Sequence, residues 1–190
     1  MGHREDLLEG AVRCIYEKGY ARTTARDVVE ASGTNLGSIG YHYGGMAKLM
    51  TAALERAVEN WGLSLAQAVM SADADGLTGA ERFEQYWEYM IESVKQHRPL
   101  MMATFDAFLE MDRSQEVRQL LVEGMRDARG LWAQAFHGID PEAEPARAAQ
   151  VGSFYQALIS GVLTQVLIDE DDAPTAQDLS AAVRIVAGSL

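Results

Sequence analysis

A chain of 190 residues, 48% hydrophobic and 23% charged, is long enough for a buried core without disulfides or metals, which argues against wholesale disorder or a low-complexity chain. Sixteen Lys and Arg against 28 Asp and Glu leave a net charge of −12, which taken as a whole disfavours non-specific binding to nucleic acid or to an anionic membrane. The single cysteine, Cys14, excludes an intrachain disulfide and a cysteine-based metal cluster, and reads as a small buried hydrophobe in a reducing cytoplasm. The start, Met1-Gly2-His3-Arg4-Glu5-Asp6, has two acids where a signal peptide needs an apolar run, and Asp6 where a myristoylation signal needs Ser or Thr. The longest apolar run, 157–168, is too short to span a bilayer and is interrupted by Ser160, Gly161, Thr164 and Gln165. The expectation is a cytoplasmic protein with no targeting segment and no membrane partner.

The elements follow in chain order. Leu7, Leu8, Ala11, Val12, Ile15 and Tyr16 mark one face of a first helix, which Gly19 stops. Thr24 and Asp27 form a capping pair that opens a second helix carrying Val28, Val29 and Ala31 and ending at Gly33. Asn35 can cap a short third helix to about Tyr43, which Gly44-Gly45 breaks. A long fourth helix is expected from about Met46 to Ser71, and further helices near 79–96, 99–112, 115–137, 145–169 and 176–188. Pro99 suits a first helical turn, Ser114 can cap the next helix, and Thr175 with Asp178 repeats the capping pattern. No sustained period-2 alternation is present, so no sheet is predicted. The expected fold is all-α, about nine helices. A three-helix helix-turn-helix unit over 1–48 precedes a larger helical domain over 49–190. Charge divides the same way: residues 1–60 carry a net −1 and residues 61–190 a net −11.

The segment 24–48 carries the chemistry. Two short helices flank a tight turn, Ser32-Gly33-Thr34-Asn35, which leaves the second of them able to enter a major groove. Helix starts capped by Thr24 and Asn35 present backbone N–H groups suited to phosphate oxygens. Ser38, Tyr41 and His42 are polar donors on the third helix, and Arg22, Arg26 and Lys48 bracket the motif.

The run from Thr23 to Gly44, and above all Ile39-Gly40-Tyr41-His42-Tyr43 followed by two glycines and Leu49, resembles the DNA-binding domain of the TetR/AcrR family of bacterial repressors. The resemblance covers about residues 4–50. It implies an all-α homodimer with an effector pocket in its C-terminal body, released from a palindromic operator by a small molecule, most simply an apolar or aromatic one. Carried over by position, Arg26 is expected to reach a base edge, where arginine can pair bidentately with guanine. Leu36, Gly37 and Gly40 match groove-facing positions. Thr24, Ser38, Tyr41 and His42 match phosphate-holding positions, and Ile39 and Tyr43 match core positions. The pattern departs at Met46, where the family commonly has lysine; Lys48, two residues on and about 200° round the helix, is the candidate DNA contact in its place. Because Gly37 and Gly40 offer no side chain for readout, specificity is expected to rest on Arg26, Asn35, Tyr41 and DNA shape.

The acidic remainder is rich in large apolar residues. Trp87, Met90, Met101, Phe105, Phe108, Met125 and Trp132 are the candidate ligand contacts, methionine being an adaptable lining. Glu88, Glu92, Asp106 and Glu110 would favour a cationic ligand if any faced inward. Val151, Phe154, Tyr155, Leu158, Ile159, Val162, Leu163, Val166 and Leu167, with Leu179, Ala182, Val183, Ile185, Val186 and Leu190, form stripes broad enough for a dimer interface through 145–169 and 176–188. No metal-ligand spacing, nucleophile elbow or phosphate-binding loop is present, so no enzyme and no cofactor are expected. The acidic run 72–76 hints at a calcium loop, but that register puts Arg82 where a bidentate Glu is needed. The leading alternative is a helical small-molecule-binding protein that does not bind DNA.

Overall fold

The computed structural model describes residues 2–72 and 79–189. Nine helices and no strand are found among them: α1 (His3–Lys18), α2 (Ala25–Ser32), α3 (Leu36–Tyr43), α4 (Met46–Ala72), α5 (Gly79–Gln96), α6 (Arg98–Glu110), α7 (Gln115–His137), α8 (Pro145–Ile168) and α9 (Ala176–Ala187). Residues 73–76 of the acidic run, and Leu190, lie outside the described residues.

Local chemistry sets the boundaries. The Thr24 hydroxyl accepts from the Asp27 N–H at 3.3 Å while Asp27 accepts from the Thr24 N–H at 2.8 Å, a complete capping box at the start of α2. The same exchange between Thr175 and Asp178 starts α9. Asn35 Oδ1 accepts from the Ser38 N–H at 3.1 Å and starts α3. Gly33 ends α2 at φ +67°, a left-handed backbone that strains any residue with a Cβ. Pro99 sits in the first turn of α6.

The chain forms two compact units, and they do not follow chain order. One comprises the chain up to Leu63 together with His97–Val122; the other comprises Ser64–Gln96 and Glu123 onward. In the first unit α1 packs against α2, α3 and α6. Leu7, Ala11, Cys14, Ile15, Val28, Ile39, Leu49, Ala53 and Leu100 are buried there. Burial pushes the Cys14 thiol above its ordinary pKa, as expected of a packing residue rather than a reactive thiol. This core fixes α3 by its inner face and leaves its outer face uncovered.

In the second unit α5 packs against α8 and α9, burying Tyr86, Trp87, Met90, Val94, Tyr155, Ile159, Val162, Val166 and Leu179. At Gly152 the backbone of α8 runs so close to α7 that an added Cβ would stand 2.1 Å from the Arg129 carbonyl oxygen. Glu84 of α5 holds Arg184 of α9 at 3.1 Å, and Lys95 meets Glu170 at 3.4 Å. The apolar run 157–168 extends back to Pro145 within α8. By length and composition alone such a helix could cross a bilayer, but here its Tyr155, Ile159, Val162 and Val166 are buried within the unit.

Candidate nucleic-acid interface

Helical periodicity divides α3 in two. Ile39 and Tyr43, four positions apart, face inward and Gly37 and Tyr41 lie on the opposite face; Leu36, Gly37, Gly40 and Tyr41 are all exposed, Leu36 by 55% and Tyr41 by 86%. Tyr43 is anchored at both ends: its hydroxyl donates to the Arg4 carbonyl at 2.8 Å, and the Arg4 guanidinium lies 5.1 Å above its ring. Ser38 and His42 are half-buried. The Tyr41 and His42 rings meet edge-on at 4.8 Å, which restricts both side chains at the end of the helix.

The turn before α3 is tightly built. The Thr34 N–H donates to the Val29 carbonyl at 3.2 Å, and the Ser32 and Thr34 hydroxyls share a hydrogen bond of 2.7 Å. The Arg13 guanidinium donates to the Ala31 carbonyl and ties α1 to the end of α2. A firmly held short helix with Leu36, Gly37, Gly40 and Tyr41 exposed is a shape that fits a groove.

The structure brings Arg26, Asn35, Leu36, Gly37, Ser38, Gly40, Tyr41 and His42 onto α2, α3 and the turn between them, all at least partly accessible. Two of the expected DNA contacts are engaged with carboxylates of the protein itself. The Thr24 hydroxyl donates to Asp27 Oδ2 at 2.6 Å, and Lys48 pairs with Glu116 at 3.3 Å. Asn35 spends its side-chain oxygen on the cap, which leaves its amide nitrogen as the group able to donate outward.

Sequence reasoning missed the contacts that brace this region. Lys18 Nζ reaches Asp27 Oδ1 at 2.6 Å and, with the Thr24 donors, holds the Asp27 carboxyl well below the usual carboxylate range. The Ala21 N–H donates to Asp106 Oδ2 of α6 at 3.3 Å. The Tyr16 and His97 rings meet at 6.3 Å. No periodicity announces these pairs, since each joins separate elements.

The residues expected to line a ligand site divide between the units. Trp87, Met90, Met125 and Trp132 belong to the second; Met101, Phe105 and Phe108 belong to the first. Trp87, Met90 and Met101 are fully buried core. The second unit carries a cleft of about 720 Å³ whose lining is a different set, built on Phe83, Tyr86, Phe136 and Tyr155 with Gln85, Arg82 and Arg184. Phe136 stacks on Tyr155 at 4.1 Å and meets Tyr86 edge-on at 4.3 Å. His137 Nε2 and the Tyr155 hydroxyl are 3.0 Å apart. None of the four acids weighed for a cationic ligand lines this cleft. Glu88 accepts from Gln177, Glu92 from Gln96, Asp106 from Ala21, and Glu110 pairs with Arg113.

Comparison with known proteins matches two successive stretches of the chain. Residues 7–53 match the family described as bacterial regulatory proteins, tetR family, and residues 78–189 match the tetracyclin repressor-like C-terminal domain. Over 49 residues the chain is 45% identical to the HTH-type transcriptional repressor AcnR of Corynebacterium efficiens, an alignment covering 26% of each protein. Over 52 residues it is 38% identical to the HTH-type transcriptional regulator TtgR of Pseudomonas putida, covering 27% of this chain and 25% of that one. These alignments thus span about a quarter of the curated relatives' own length. Among solved structures, the multidrug binding protein EbrR complexed with proflavin aligns with a TM-score of 0.68 at 22% identity, covering 96% of this chain and 97% of that one. A regulator from Rhodococcus sp. RHA1 aligns with a TM-score of 0.71 at 16% identity, covering 96% and 93%. At these identities the structural likeness establishes the fold.

Proposed function

The chain belongs to the tetR family of bacterial regulatory proteins; we propose that it is a DNA-binding transcriptional regulator, a cytoplasmic homodimeric repressor that leaves a palindromic operator when a small molecule binds. The observation that carries this reading is the uncovered outer face of α3, with Leu36, Gly37, Gly40 and Tyr41 accessible while Ile39 and Tyr43 fix the helix from within. Arg26 reads a base edge, Ser38, Tyr41 and His42 hold phosphates, and Gly37 and Gly40 let the backbone of α3 approach the groove floor. Thr24 and Lys48 join the phosphate contacts after exchanging Asp27 and Glu116 for the duplex.

Dimerisation is supported by an apolar face left uncovered on the last two helices, where Phe154, Ile168, Ile185 and Val186 are exposed. Two heads are needed to meet half-sites about 34–36 Å apart. Ligand response is supported by the aromatic cleft of the second unit and by a neighbour in fold that was crystallised with proflavin. The route to the head is supported by the Ala21–Asp106 hydrogen bond and the packing of α1 on α6, through which a displaced α6 would tilt the reading helices. The division into a head over 1–48 and a body over 49–190 is part of this proposal, in which α6 packs with the head.

The test is selection of genomic fragments by the purified protein, followed by titration of a recovered site. The expected result is a palindromic sequence bound by two chains, with affinity falling steeply as salt rises. Random recovery of fragments, or binding insensitive to salt, overturns the reading. A small-molecule carrier that ignores DNA would give that random recovery.

A further inference from the structure

Buried polar side-chain atoms in folded proteins are nearly always hydrogen-bonded. Among the described residues the exceptions are Gln85 Oε1, the Tyr86 hydroxyl, Trp87 Nε1, Arg129 Nε, Trp132 Nε1 and Gln156 Oε1, and all six belong to the second unit. They come from α5, α7 and α8. Two of the residues, Gln85 and Tyr86, line the aromatic cleft, and Tyr86 is 96% buried. Unsatisfied groups gathered beside a cleft mark a site completed by a molecule the protein does not itself supply.

Resting on the ligand-responsive reading above, we infer that this cleft is the effector site and that its ligand is a flat aromatic carboxylate bearing a hydroxyl group. The walls select flatness. Phe136 and Tyr155 stack on each other at 8° between ring planes, with Tyr86 edge-on to Phe136, so the lining is an aromatic cluster against whose outer edges a further ring can pack. The unpartnered atoms select the hydroxyl. Gln85 Oε1 is an acceptor and needs a donor, while the Tyr86 hydroxyl serves as either. The charges select the carboxylate. Arg82 and Arg184 are the full charges on the lining and no Asp or Glu is among the lining residues. Glu84 holds Arg184 by one contact, at 3.1 Å, which leaves other guanidinium N–H groups to donate. A cation entering here would meet two guanidinium groups and no carboxylate among the lining residues. The preference therefore runs against the acidity of the chain as a whole.

Calorimetric titration of the full-length protein tests this with para-hydroxycinnamate, its amide, cinnamate and tyramine. The expected order places para-hydroxycinnamate at least about tenfold tighter than either the amide or cinnamate, with no saturable binding of tyramine. The double variant Arg82→Gln, Arg184→Gln should bind acid and amide alike. Tyr86→Phe should narrow the gap between para-hydroxycinnamate and cinnamate, with an unchanged helical spectrum in each variant to show that the fold is kept. Tyramine binding as tightly as the acid, no saturable binding by any probe, or an acid preference that survives loss of both arginines overturns the inference. The same titrations over a fluorescent operator fragment separate it from the reading beneath it. DNA released by tyramine and not by the acid overturns the ligand class and leaves the regulator standing. An acid that binds with the expected variant effects but never releases DNA overturns the effector role and leaves the chemistry of the cleft standing.

Discussion

Asp27 shows how much one side chain organises in the head. It receives the Lys18 ammonium at 2.6 Å, the Thr24 hydroxyl at 2.6 Å and the Thr24 N–H at 2.8 Å, joining the end of α1 to the start of α2. Its carboxyl is held below the ordinary carboxylate range chiefly by Lys18 and then by Thr24. A carboxylate with a depressed folded pKa adds stability that is present above its unfolded value, about 3.9, and is lost as pH falls toward the folded value. Asp27→Asn should therefore lower the melting temperature at pH 7, with the deficit shrinking steadily below pH about 4. Thermal unfolding followed by circular dichroism at several pH values checks this; a deficit that does not change with pH would assign the effect to cap geometry alone. The Thr24–Asp27 pair is legible in the sequence because capping uses a fixed spacing. Lys18 is not, because the turn through Gly19 decides which side chains meet across it.

Two glycines in helices separate close packing from an open face. At Gly152 an added Cβ would meet the backbone of Arg129 at 2.1 Å, whereas at Gly40 it would meet nothing within 4 Å. Gly152→Ala is expected to destabilise by about 1–3 kcal/mol or more, as overpacking does. Gly40→Ala is expected to stabilise by about 0.5–1 kcal/mol, because alanine is the better helix former. Urea denaturation midpoints measure both. If the backbone of α3 approaches DNA at Gly40, the same stabilised variant binds operator less tightly, and unchanged affinity would remove Gly40 from the interface. The ends of these helices follow from short-range rules: Thr24, Asn35 and Thr175 cap, Gly33 stops, and Pro99 starts. The inner and outer faces of α3 also follow from its periodicity. The lining of the cleft does not. Apolar spacing marks Trp87 and Met90 as inward-facing without naming the neighbour they meet, and both are spent on the core. Met101, Phe105 and Phe108 fall in the other unit because α6 packs with α1, a long-range choice that no window of sequence contains.

At the scale of the molecule, the exposed apolar side chains of α8 and α9 decide whether the protein reads DNA with one head or two. Phe154 is 56% exposed and Val186 59%, while the buried Tyr155, Ile159 and Val162 point away from Phe154 on α8 and the buried Leu179 lies two turns before Val186 on α9. Charging the outer residues leaves that core untouched. Phe154→Glu with Val186→Glu should yield a folded 20.8 kDa monomer by sedimentation, where the unaltered chain sediments at twice that mass. In a two-fold interface each substitution enters once from each chain, so two substitutions place four like charges in one interface. Operator affinity should fall at least about tenfold. The slope of log affinity against log salt should fall to about half, since it scales with the phosphates contacted and one head contacts half of them. A variant that stays dimeric would place the interface elsewhere. A monomer that keeps both the affinity and the salt slope would show that a single α3 suffices, and the paired-head arrangement would be wrong.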